Sequence, residues 1–400
     1  MQCRSCGSDK IIPILNLGKT PWCNDFLTGE NIGKEQFYPL ELVYCEECTL
    51  SQLNYTVPKE TMFTNHTYVS GTTKTLARHF FELAESNINT FGLKPNDLIV
   101  DIGGNDGTQL IQYRLLGMTN LVNVESAANI AAISSSNNIK TVNTFFNEEA
   151  VYNNFDWGSA KLINAAGVFF HLEELHSVLR GIKRLLARDG VFVVQFMYLK
   201  DIVNNLAFDA IYHEHLCYYT LRSLAKLLSP YGLKIFDAFH SPIHAGSMMA
   251  RICHESETME GFHCIDAMLE VEGCGLTDLQ EFARKVEEKR TDLYQVLDQL
   301  YDARLRVYGY GAPAKSTTLL NYLGINSQLV EKMVEINNLK VGLYTPGTHI
   351  PIVKENKQDL PDYYLMLAYN FKDEILEKNR GSNITFITPF PDIILHRTKP

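Results

Sequence analysis

Short apolar runs alternate with stretches of helical periodicity through the middle of the chain, from about residue 80 onward. Because strands that alternate with helices at this spacing form βαβ units, the pattern predicts a parallel sheet. The apolar runs predicted as strands of this sheet are 98–102, 121–125, 160–164 and 190–196. A charged stretch over 277–302 predicts a long connecting helix.

The same alternation begins again after this helix. The runs predicted as strands there are 305–309, 332–336, 362–368 and 384–388, and helices are predicted to begin at Ala314 and Lys372. A length of 400 residues also exceeds what one hydrophobic core usually serves. We therefore expect an α/β chain in three parts: an N-terminal module at 1–75, a central Rossmann-like domain at 76–255 and a smaller C-terminal Rossmann-like domain at 256–400.

Two Cys-x-x-Cys pairs lie in the N-terminal module, Cys3 with Cys6 and Cys45 with Cys48. Each pair places two thiolates on one tight turn, and two such turns complete the tetrahedral four-sulfur shell that suits zinc. Four protein ligands leave no position for a reactive water, so we expect a structural zinc ion. A redox-active dithiol is the alternative. Cys23 is left over, and we interpret it as a packing residue.

The composition is that of an ordinary globular protein, with 46% apolar and 20% charged residues. A formal net charge of −10 argues against a nucleic-acid binder, which usually carries a basic face. No apolar run is long enough to cross a bilayer, and no secretory signal pattern precedes Cys3. We therefore expect a cytoplasmic protein with no nucleic-acid or membrane partner, working as a monomer or a weak homodimer.

A glycine-rich turn, Asp-Ile-Gly-Gly-Asn-Asp-Gly at 101–107, includes the end of the first predicted strand. Glycines in such a turn let the backbone approach a ligand closely. A dinucleotide requires Gly-x-Gly-x-x-Gly, and neither Gly103 nor Gly104 begins a run with that spacing. The carboxylates of Asp101 and Asp106 would repel a pyrophosphate, whereas their negative field favours the sulfonium and ammonium groups of S-adenosylmethionine.

This turn therefore predicts an S-adenosylmethionine site, and with it a methyltransferase. Glu125 ends the next predicted strand, where a carboxylate is expected to bind both ribose hydroxyls. The alternative is an acidic glycine turn in an α/β domain of another function. The residues of this pattern that we expect to bind the cofactor are Asp101, Gly103, Asn105, Asp106, Gly107 and Glu125.

A cluster of titratable side chains follows the fourth predicted strand, in the run Tyr-His-Glu-His-Leu-Cys-Tyr-Tyr at 212–219. In an extended segment Tyr212 and Glu214 would point to one side, whereas in a helix Tyr212 and His215 would share a face. A histidine that titrates near neutrality can remove a proton, and a neighbouring tyrosine or glutamate can orient it. A His-x-His metal site and satisfied polar packing are the alternatives, and no third metal ligand is identifiable nearby.

These motifs together resemble the deoxysugar C-methyltransferases over nearly the whole chain. The resemblance rests on the paired cysteine turns, the central cofactor turn, the Tyr-His-Glu-His-Leu stretch and a Gly-x-Gly-Ala-Pro-Ala-Lys turn that begins at Gly309. Members of this family methylate C3 of nucleotide-linked 4-keto sugars, usually thymidine ones. The chain departs from the family at Gly104, where serine or a similar residue is usual, and in the segment 164–167 before Val168.

The resemblance also implies roles for individual residues. It makes His215 the base, with Tyr212 and Glu214 beside it, and it makes His171 a second histidine of the active site. Tyr68 matches a tyrosine that reaches over the cofactor. From the sequence alone, His171 is as readily a core or capping residue, and Tyr68 an ordinary aromatic residue of a loop.

The turn that begins at Gly309 fits Gly-x-Gly-x-x-Ala after a predicted strand. Pro313 suits the first turn of a helix whose free N–H groups attract phosphate, and Lys315 adds a positive charge. We expect Gly309, Gly311 and Lys315 to bind the diphosphate of a nucleotide sugar. A purely structural turn is one alternative, and an NAD site is another because Glu335 lies near the end of the next predicted strand.

The sequence thus favours a C-methyltransferase that acts on a nucleotide-linked 4-keto-deoxysugar, with thymidine diphosphate as the expected nucleotide. Two alternatives stay open, an O- or N-methyltransferase for another small molecule and a cofactor-binding partner protein without turnover. The cluster at 212–215 favours the first, because methylation of a hydroxyl oxygen needs less elaborate carbon-acid chemistry.

Overall fold

The computed structural model of the chain describes residues 2–64, 69–72, 74–241 and 246–398. These residues form three sheets in succession along the chain, each with its own order of strands. None of the helices in the described ranges has the length and the apolar character that crossing a membrane requires.

The N-terminal part is a small antiparallel sheet beside the two cysteine turns. Its elements are β1 (Ile11–Pro21), β2 (Phe37–Cys45), β3 (Ser51–Leu53) and the helix α1 (Lys59–Phe63). A fourth strand, Cys217–Tyr218 (β9), pairs with β3 although it comes from the central part of the chain. This pairing ties the C-terminal end of the run at 212–219 to the N-terminal sheet.

The central part is a seven-stranded sheet with the order β10-β11-β8-β7-β4-β5-β6. All pairs are parallel except those of β11, which is antiparallel to β8 and β10. The apolar residues of β4 and β5 are buried along almost their whole length, as expected for parallel strands covered on both faces. The elements are α2 (Lys74–Phe91), β4 (Leu98–Ile102), α3 (Thr108–Leu115), β5 (Leu121–Val124), α4 (Ala128–Ser136), β6 (Lys140–Val142), α5 (Glu148–Asn154), β7 (Ala160–Ala166), α6 (Leu175–Leu185), β8 (Leu186–Met197), α7 (Leu199–Asn204), α8 (Leu221–Leu228), β10 (Leu233–Ser241) and β11 (Ser247–His254).

The C-terminal part is a six-stranded sheet with the order β14-β13-β12-β15-β16-β17, parallel except for β17. In this order the first strand lies between the second and the fourth, which is the Rossmann arrangement and places ligands at the carboxyl ends of the strands. The elements are α9 (Ile265–Glu270), α10 (Leu276–Asp302), β12 (Val307–Tyr310), α11 (Ala314–Leu323), β13 (Met333–Glu335), β14 (Ile352–Lys354), β15 (Tyr363–Met366), α12 (Lys372–Lys378), β16 (Thr385–Thr388) and β17 (Ile394–Arg397).

One hydrophobic core joins all three parts. It contains Leu15 and Leu42 of the N-terminal sheet, Phe208 and Ile211 of the central part and Leu319 of α11, each buried. Burying such a side chain stabilises the fold by about 1.5–3 kcal/mol. Helix α11 therefore packs between the N-terminal sheet and the segment that carries the titratable cluster.

The fold class predicted from the sequence is confirmed, with two Rossmann-like α/β sheets after an N-terminal module. Each apolar run predicted as a strand overlaps an observed strand, and the predicted connecting helix begins at Leu276, one residue earlier than expected. The N-terminal sheet and the hairpin of β10 and β11 were not predicted.

Candidate active site

A cavity of about 1060 Å³ lies where the three parts of the chain meet. Most of the residues selected from the sequence line its wall: Gly103, Asn105, Glu125, His171, Tyr212, Glu214, His215, Gly311 and Lys315. Four others, Asp101, Asp106, Gly107 and Gly309, belong to the turns that form the wall but do not themselves line it. Tyr68 lies outside the described residues.

The first glycine turn connects the end of β4 to the start of α3. Gly103 and Gly107 have positive φ angles of 62° and 82°, and Asn105 has one of 51°. A Cβ on Gly103 would lie 2.7 Å from Cγ2 of Val168, so this position requires glycine for space as well as for conformation. The backbone at Gly103 can therefore form part of the cavity wall directly.

Glu125 follows the last residue of β5 and faces the cavity with a fixed carboxylate. Its Oε2 accepts a hydrogen bond from the backbone N–H of Asn105 at 3.0 Å, and its Oε1 accepts one from that of Ala127 at 2.8 Å. A carboxylate at the end of the second strand of a Rossmann unit is placed to bind ribose hydroxyls. Gly103, Asn105 and Glu125 therefore fit the adenosine part of S-adenosylmethionine.

The two aspartates of the turn lie behind this wall and have different surroundings. Burial raises the pKa of Asp101 well above its usual value, and the nearby charge of Glu125 raises it further. Asp106 accepts hydrogen bonds from the hydroxyl of Thr108 at 2.6 Å and from the backbone N–H of Gly71 at 2.9 Å. Asp106 thus connects the first residue of α3 to the segment at 70–72, while Glu125 supplies the carboxylate on the wall.

Substitution of Gly104 by alanine is expected to weaken cofactor binding. The new Cβ would lie 2.5 Å from Oδ1 of Asn123 and 2.6 Å from Oδ2 of Asp101, and both of these side chains are buried. Such overpacking costs about 1–3 kcal/mol, which corresponds to about 5- to 150-fold weaker binding if the turn must shift. Calorimetric titration with S-adenosylmethionine measures the effect. Gly29→Ala is the control, because its new Cβ would meet only an atom of Tyr344 at 3.9 Å, and equal affinity of the two variants would contradict the prediction.

The titratable cluster forms a tight turn, neither the extended strand nor the helix considered from the sequence. The backbone N–H of His215 donates to the carbonyl of Tyr212 at 2.9 Å, and that of Leu216 donates to the carbonyl of Phe170 at 2.8 Å. Because the second bond reaches a segment more than 40 residues away, the turn is fixed by tertiary contacts. It brings Tyr212, Glu214 and His215 to one side of the cavity.

His215 is almost fully buried, and one of its ring nitrogens has a defined role. Its Nδ1 lies 2.8 Å from the carbonyl oxygen of Ala210, which can only accept, so Nδ1 carries the proton in the neutral ring. Nε2 is then the nitrogen with the lone pair. The ring lies between those of Tyr212 and Phe170, with centroids 3.8 Å and 4.6 Å away.

The other aromatic members of the cluster lie against His215. The ring of His171 is 5.1 Å from that of His215, and its Nδ1 donates to the carbonyl of Glu214 at 2.5 Å. Burial raises the pKa of Tyr212 well above its usual value, with smaller contributions from Cys23 and Glu214. Tyr212 therefore stays a neutral phenol.

The carboxylate of Glu214 is held by a loop of the N-terminal part. Its Oε1 accepts hydrogen bonds from Nε1 of Trp22 at 2.7 Å and from Nδ2 of Asn24 at 2.6 Å, and the thiol of Cys23 lies 3.4 Å away. Cys23 is buried, so it packs as expected and also contacts the site. The sequence pattern contains no signal for Trp22 or Asn24, because about 190 residues separate them from Glu214.

The second glycine turn connects β12 to α11, and Gly311 of this turn lines the cavity. Glu335 is the last residue of β13, and its Oε2 accepts a hydrogen bond from the backbone N–H of Ala312 at 2.8 Å. Its Oε1 accepts from the backbone N–H groups of Ile336 and Asn337 at 2.7 Å and 3.0 Å. The contacts of Glu335 thus repeat those of Glu125, and they give the second turn a carboxylate in the ribose-binding position.

Two lysines line the cavity near this turn. Nζ of Lys315 lies 2.9 Å from Oδ1 of Asn370, 3.7 Å from Oδ2 of Asp209 and 3.2 Å from the ring centroid of Tyr369. Burial lowers its pKa to about 8, against the opposing effect of Asp209. Lys340, which the sequence analysis missed, donates to the carbonyl of Ala312 at 2.8 Å, and burial lowers its pKa as well.

The four cysteines of the N-terminal turns fit a tetrahedral zinc ion. Sγ of Cys3 is 3.4 Å from that of Cys48, and Sγ of Cys6 is 3.6 Å from that of Cys45. All four sulfur atoms lie within 4.8 Å of one another. Zn–S bonds of about 2.3 Å give sulfur separations of about 3.8 Å in a regular tetrahedron, so the cluster can bind zinc with small adjustments.

Three family models match the chain in succession. They describe a zinc binding domain at 3–63, a methyltransferase domain at 76–238 and a C-methyltransferase C-terminal domain at 242–391. C-methyltransferase NovU of Streptomyces niveus is 30% identical over 405 residues, and the alignment covers 98% of this chain and 96% of that protein.

Two solved structures are similar to a smaller share of the chain. Geranyl diphosphate C-methyltransferase from Streptomyces coelicolor is 12% identical with a TM-score of 0.37, covering 45% of this chain and 80% of its own. YcgJ from Bacillus subtilis is 17% identical with a TM-score of 0.34, covering 41% and 73%. At these TM-scores neither similarity contributes to the assignment. Because NovU aligns with nearly its whole length, the chain belongs to the C-methyltransferase family and uses S-adenosylmethionine and zinc.

Proposed function

We propose that this C-methyltransferase removes the C3 proton of a 4-keto-deoxysugar linked to a nucleotide, with dTDP as the expected nucleotide, and methylates that carbon. The observation that carries the proposal is the orientation of His215. The carbonyl of Ala210 fixes the proton on Nδ1 and leaves the lone pair on Nε2 of a ring that lines the cavity. A neutral imidazole held in this way is suited to remove a proton from carbon.

The neighbours of His215 suit the charge that develops when the proton leaves. Removal of a proton next to a ketone places negative charge on the ketone oxygen, which a hydrogen-bond donor must stabilise. Tyr212 keeps its phenolic proton because burial raises its pKa. We assign Tyr212 as the donor to this oxygen, and His171 and Glu214 as the groups that orient the sugar ring beside it.

The cofactor turn is proposed to hold S-adenosylmethionine through Gly103, Asn105 and Glu125. When bound there, the cofactor supplies an electrophilic methyl group. The residues of the chain contribute alignment, because holding two reactants in a productive geometry provides a large part of such rate enhancements. The apolar side chains of Phe170 and Val168 also line the cavity and offer water no hydrogen bonds there.

The nucleotide end of the substrate is proposed to lie at the second glycine turn. Gly311 lines the cavity at this turn, and a Cβ on Gly309 or Gly311 would clash with the side chain of Met333 or Ala368, so both glycines are needed for the turn to pack as it does. The N-terminus of α11 and the cation of Lys340 favour a diphosphate. Lys315 lines the same space and contacts Asn370, Asp209 and Tyr369. We assign Glu335 as the acceptor of a hydrogen bond from a sugar hydroxyl of the nucleoside.

Incubation with methyl-labelled S-adenosylmethionine and a panel of nucleotide-linked 4-keto sugars tests the proposal. We expect mass spectrometry to locate the label on C3 of a dTDP-linked sugar. When S-adenosylhomocysteine replaces S-adenosylmethionine, no methyl group can be transferred, but we still expect the C3 proton to exchange with solvent deuterium. Label on an oxygen or nitrogen atom, or on no sugar at all, would overturn the proposal.

A further inference from the structure

The carboxylate of Glu214 has one oxygen fully engaged and one that faces the cavity. Oε1 receives the hydrogen bonds from Trp22 and Asn24 and the contact from the thiol of Cys23. No described residue donates a hydrogen bond to Oε2. Glu214 is 4% exposed, so water has little access to it, and it lines the cavity beside His215.

The loop that carries Trp22 and Asn24 is itself fastened to the C-terminal part. It begins directly after Pro21, the last residue of β1, and the backbone N–H of Asp25 donates to the carbonyl of Trp22 at 3.1 Å. The hydroxyl of Thr317 in α11 donates to the carbonyl of Cys23 at 3.0 Å. The loop is therefore fixed at Pro21, where it leaves β1, and at Cys23, where it is hydrogen-bonded to α11.

The next residue of the same helix holds the other side of the site. The hydroxyl of Thr318 donates to the carbonyl of Ile211 at 2.9 Å, directly before the turn that contains Tyr212 and Glu214. The residues joined by these two hydrogen bonds are all buried: Thr317, Cys23, Thr318 and Ile211. The hydroxyl of Thr317 thus fixes the loop whose side chains donate to Glu214, and the adjacent hydroxyl of Thr318 fixes the backbone just before the turn that contains Glu214.

We propose that Trp22 and Asn24 are positioning residues that orient Glu214 so that Oε2 accepts a hydrogen bond from a hydroxyl of the sugar, an inference that rests on the proposed function. Any other rotamer of Glu214 would give up two charge-assisted hydrogen bonds, which are stronger than neutral ones. Both donors are N–H groups, so Oε1 acts only as an acceptor. The N-terminal module therefore builds part of the substrate site in addition to binding zinc.

A double-mutant cycle distinguishes this role from simple anchoring of the N-terminal loop. Trp22→Phe keeps an aromatic ring and removes the donor, and Glu214→Ala removes the acceptor. We expect Trp22→Phe to lower kcat for a dTDP-linked 4-keto-deoxysugar by about 10- to 100-fold, with the KM for S-adenosylmethionine unchanged. In the Glu214→Ala background the same substitution is expected to have almost no further effect on kcat, because Trp22 then has nothing to position.

Two variants outside the cycle serve as a control and as a second test. Trp157→Phe, at the chain's other tryptophan, is the matched control, because Trp157 is 74% exposed and does not line the cavity. Asn24→Asp keeps the size of the side chain but sets a carboxylate against Glu214, so its kcat is expected to fall further than that of Trp22→Phe. Thermal unfolding and zinc content of each variant show whether the fold is intact.

The outcomes separate this inference from the proposed function. If the wild-type chain methylates no nucleotide-linked keto sugar, the proposed function fails, and the cycle is run with the acceptor that the labelled-methyl screen identifies. The cycle can also contradict the inference, whichever acceptor is turned over. If the fall in kcat of the double variant is the product of the falls in Trp22→Phe and Glu214→Ala, Trp22 does not act through Glu214 and the inference is wrong. Wild-type kcat in a folded Trp22→Phe variant leads to the same conclusion.

Discussion

Replacement of His215 by glutamine is expected to lower methyl transfer by about 10²- to 10⁴-fold, the usual contribution of a general base. Glutamine has a similar reach but no basic nitrogen, so the C3 proton should stay on the sugar. Binding of S-adenosylmethionine should be unchanged, since the Nδ1 hydrogen bond of His215 goes to the carbonyl of Ala210, which lies outside the turn at 101–107. Exchange of the C3 proton with solvent deuterium, followed by NMR, measures the step directly.

His213 provides the matched control for this experiment. It lies two residues away and is equally buried, but its Nε2 faces the carbonyl of Pro39 at 3.3 Å and it does not line the cavity. His213→Gln is expected to keep deuterium exchange close to the wild-type rate, whatever its effect on thermal stability. Undiminished exchange in a folded His215→Gln variant would remove His215 from the role of base.

Loss of the zinc site is expected to abolish activity as well as to destabilise the N-terminal part. Structural zinc sites contribute about 10–16 kcal/mol to the folding of zinc-finger peptides, so replacing Cys45 and Cys48 by serine should unfold this module. The loop of Trp22 and Asn24 would then no longer hold Glu214. Because a displacement of about 1 Å in a substrate-positioning group can cost about 100-fold in rate, we expect at least that loss in kcat.

Metal analysis, thermal unfolding and kinetics on the same preparation test this prediction. The control is Cys264→Ser, because Cys264 is exposed and lies far along the chain from the four clustered cysteines. It should keep its zinc, its unfolding temperature and its kcat. A double serine variant that has lost its zinc and still turns over at the wild-type rate would show that the module is dispensable for catalysis.

Local pattern was enough to predict the two Rossmann sheets. The strands β4, β5, β7 and β12 are mostly apolar runs because both faces of a parallel sheet are covered, and such runs are visible in a single sequence. The N-terminal sheet was missed because β1 and β2 mix buried and exposed residues around bulges and do not alternate regularly.

The sequence predicted which residues form the site better than it predicted how they are arranged. The titratable types at 212–215 were visible, but their turn depends on the bond from Leu216 to Phe170, which no local pattern encodes. Asp101 and Asp106 were selected as equivalent acids, whereas Asp101 is enclosed near Glu125 and Asp106 is hydrogen-bonded to Thr108 and Gly71. Trp22 and Asn24 could not be found, because their role depends entirely on a contact between distant segments.

The pairing of β3 with β9 has a consequence for synthesis on the ribosome. The two cysteine turns are made before the central sheet and can bind zinc once Cys48 is available, but this edge of β3 has no partner until Cys217 and Tyr218 have been made. Unpaired strand edges promote association between nascent chains. The N-terminal module is thus completed only after the first strands of the central sheet, β4 to β8, have left the ribosome, so the order of folding does not follow the order of domains along the chain.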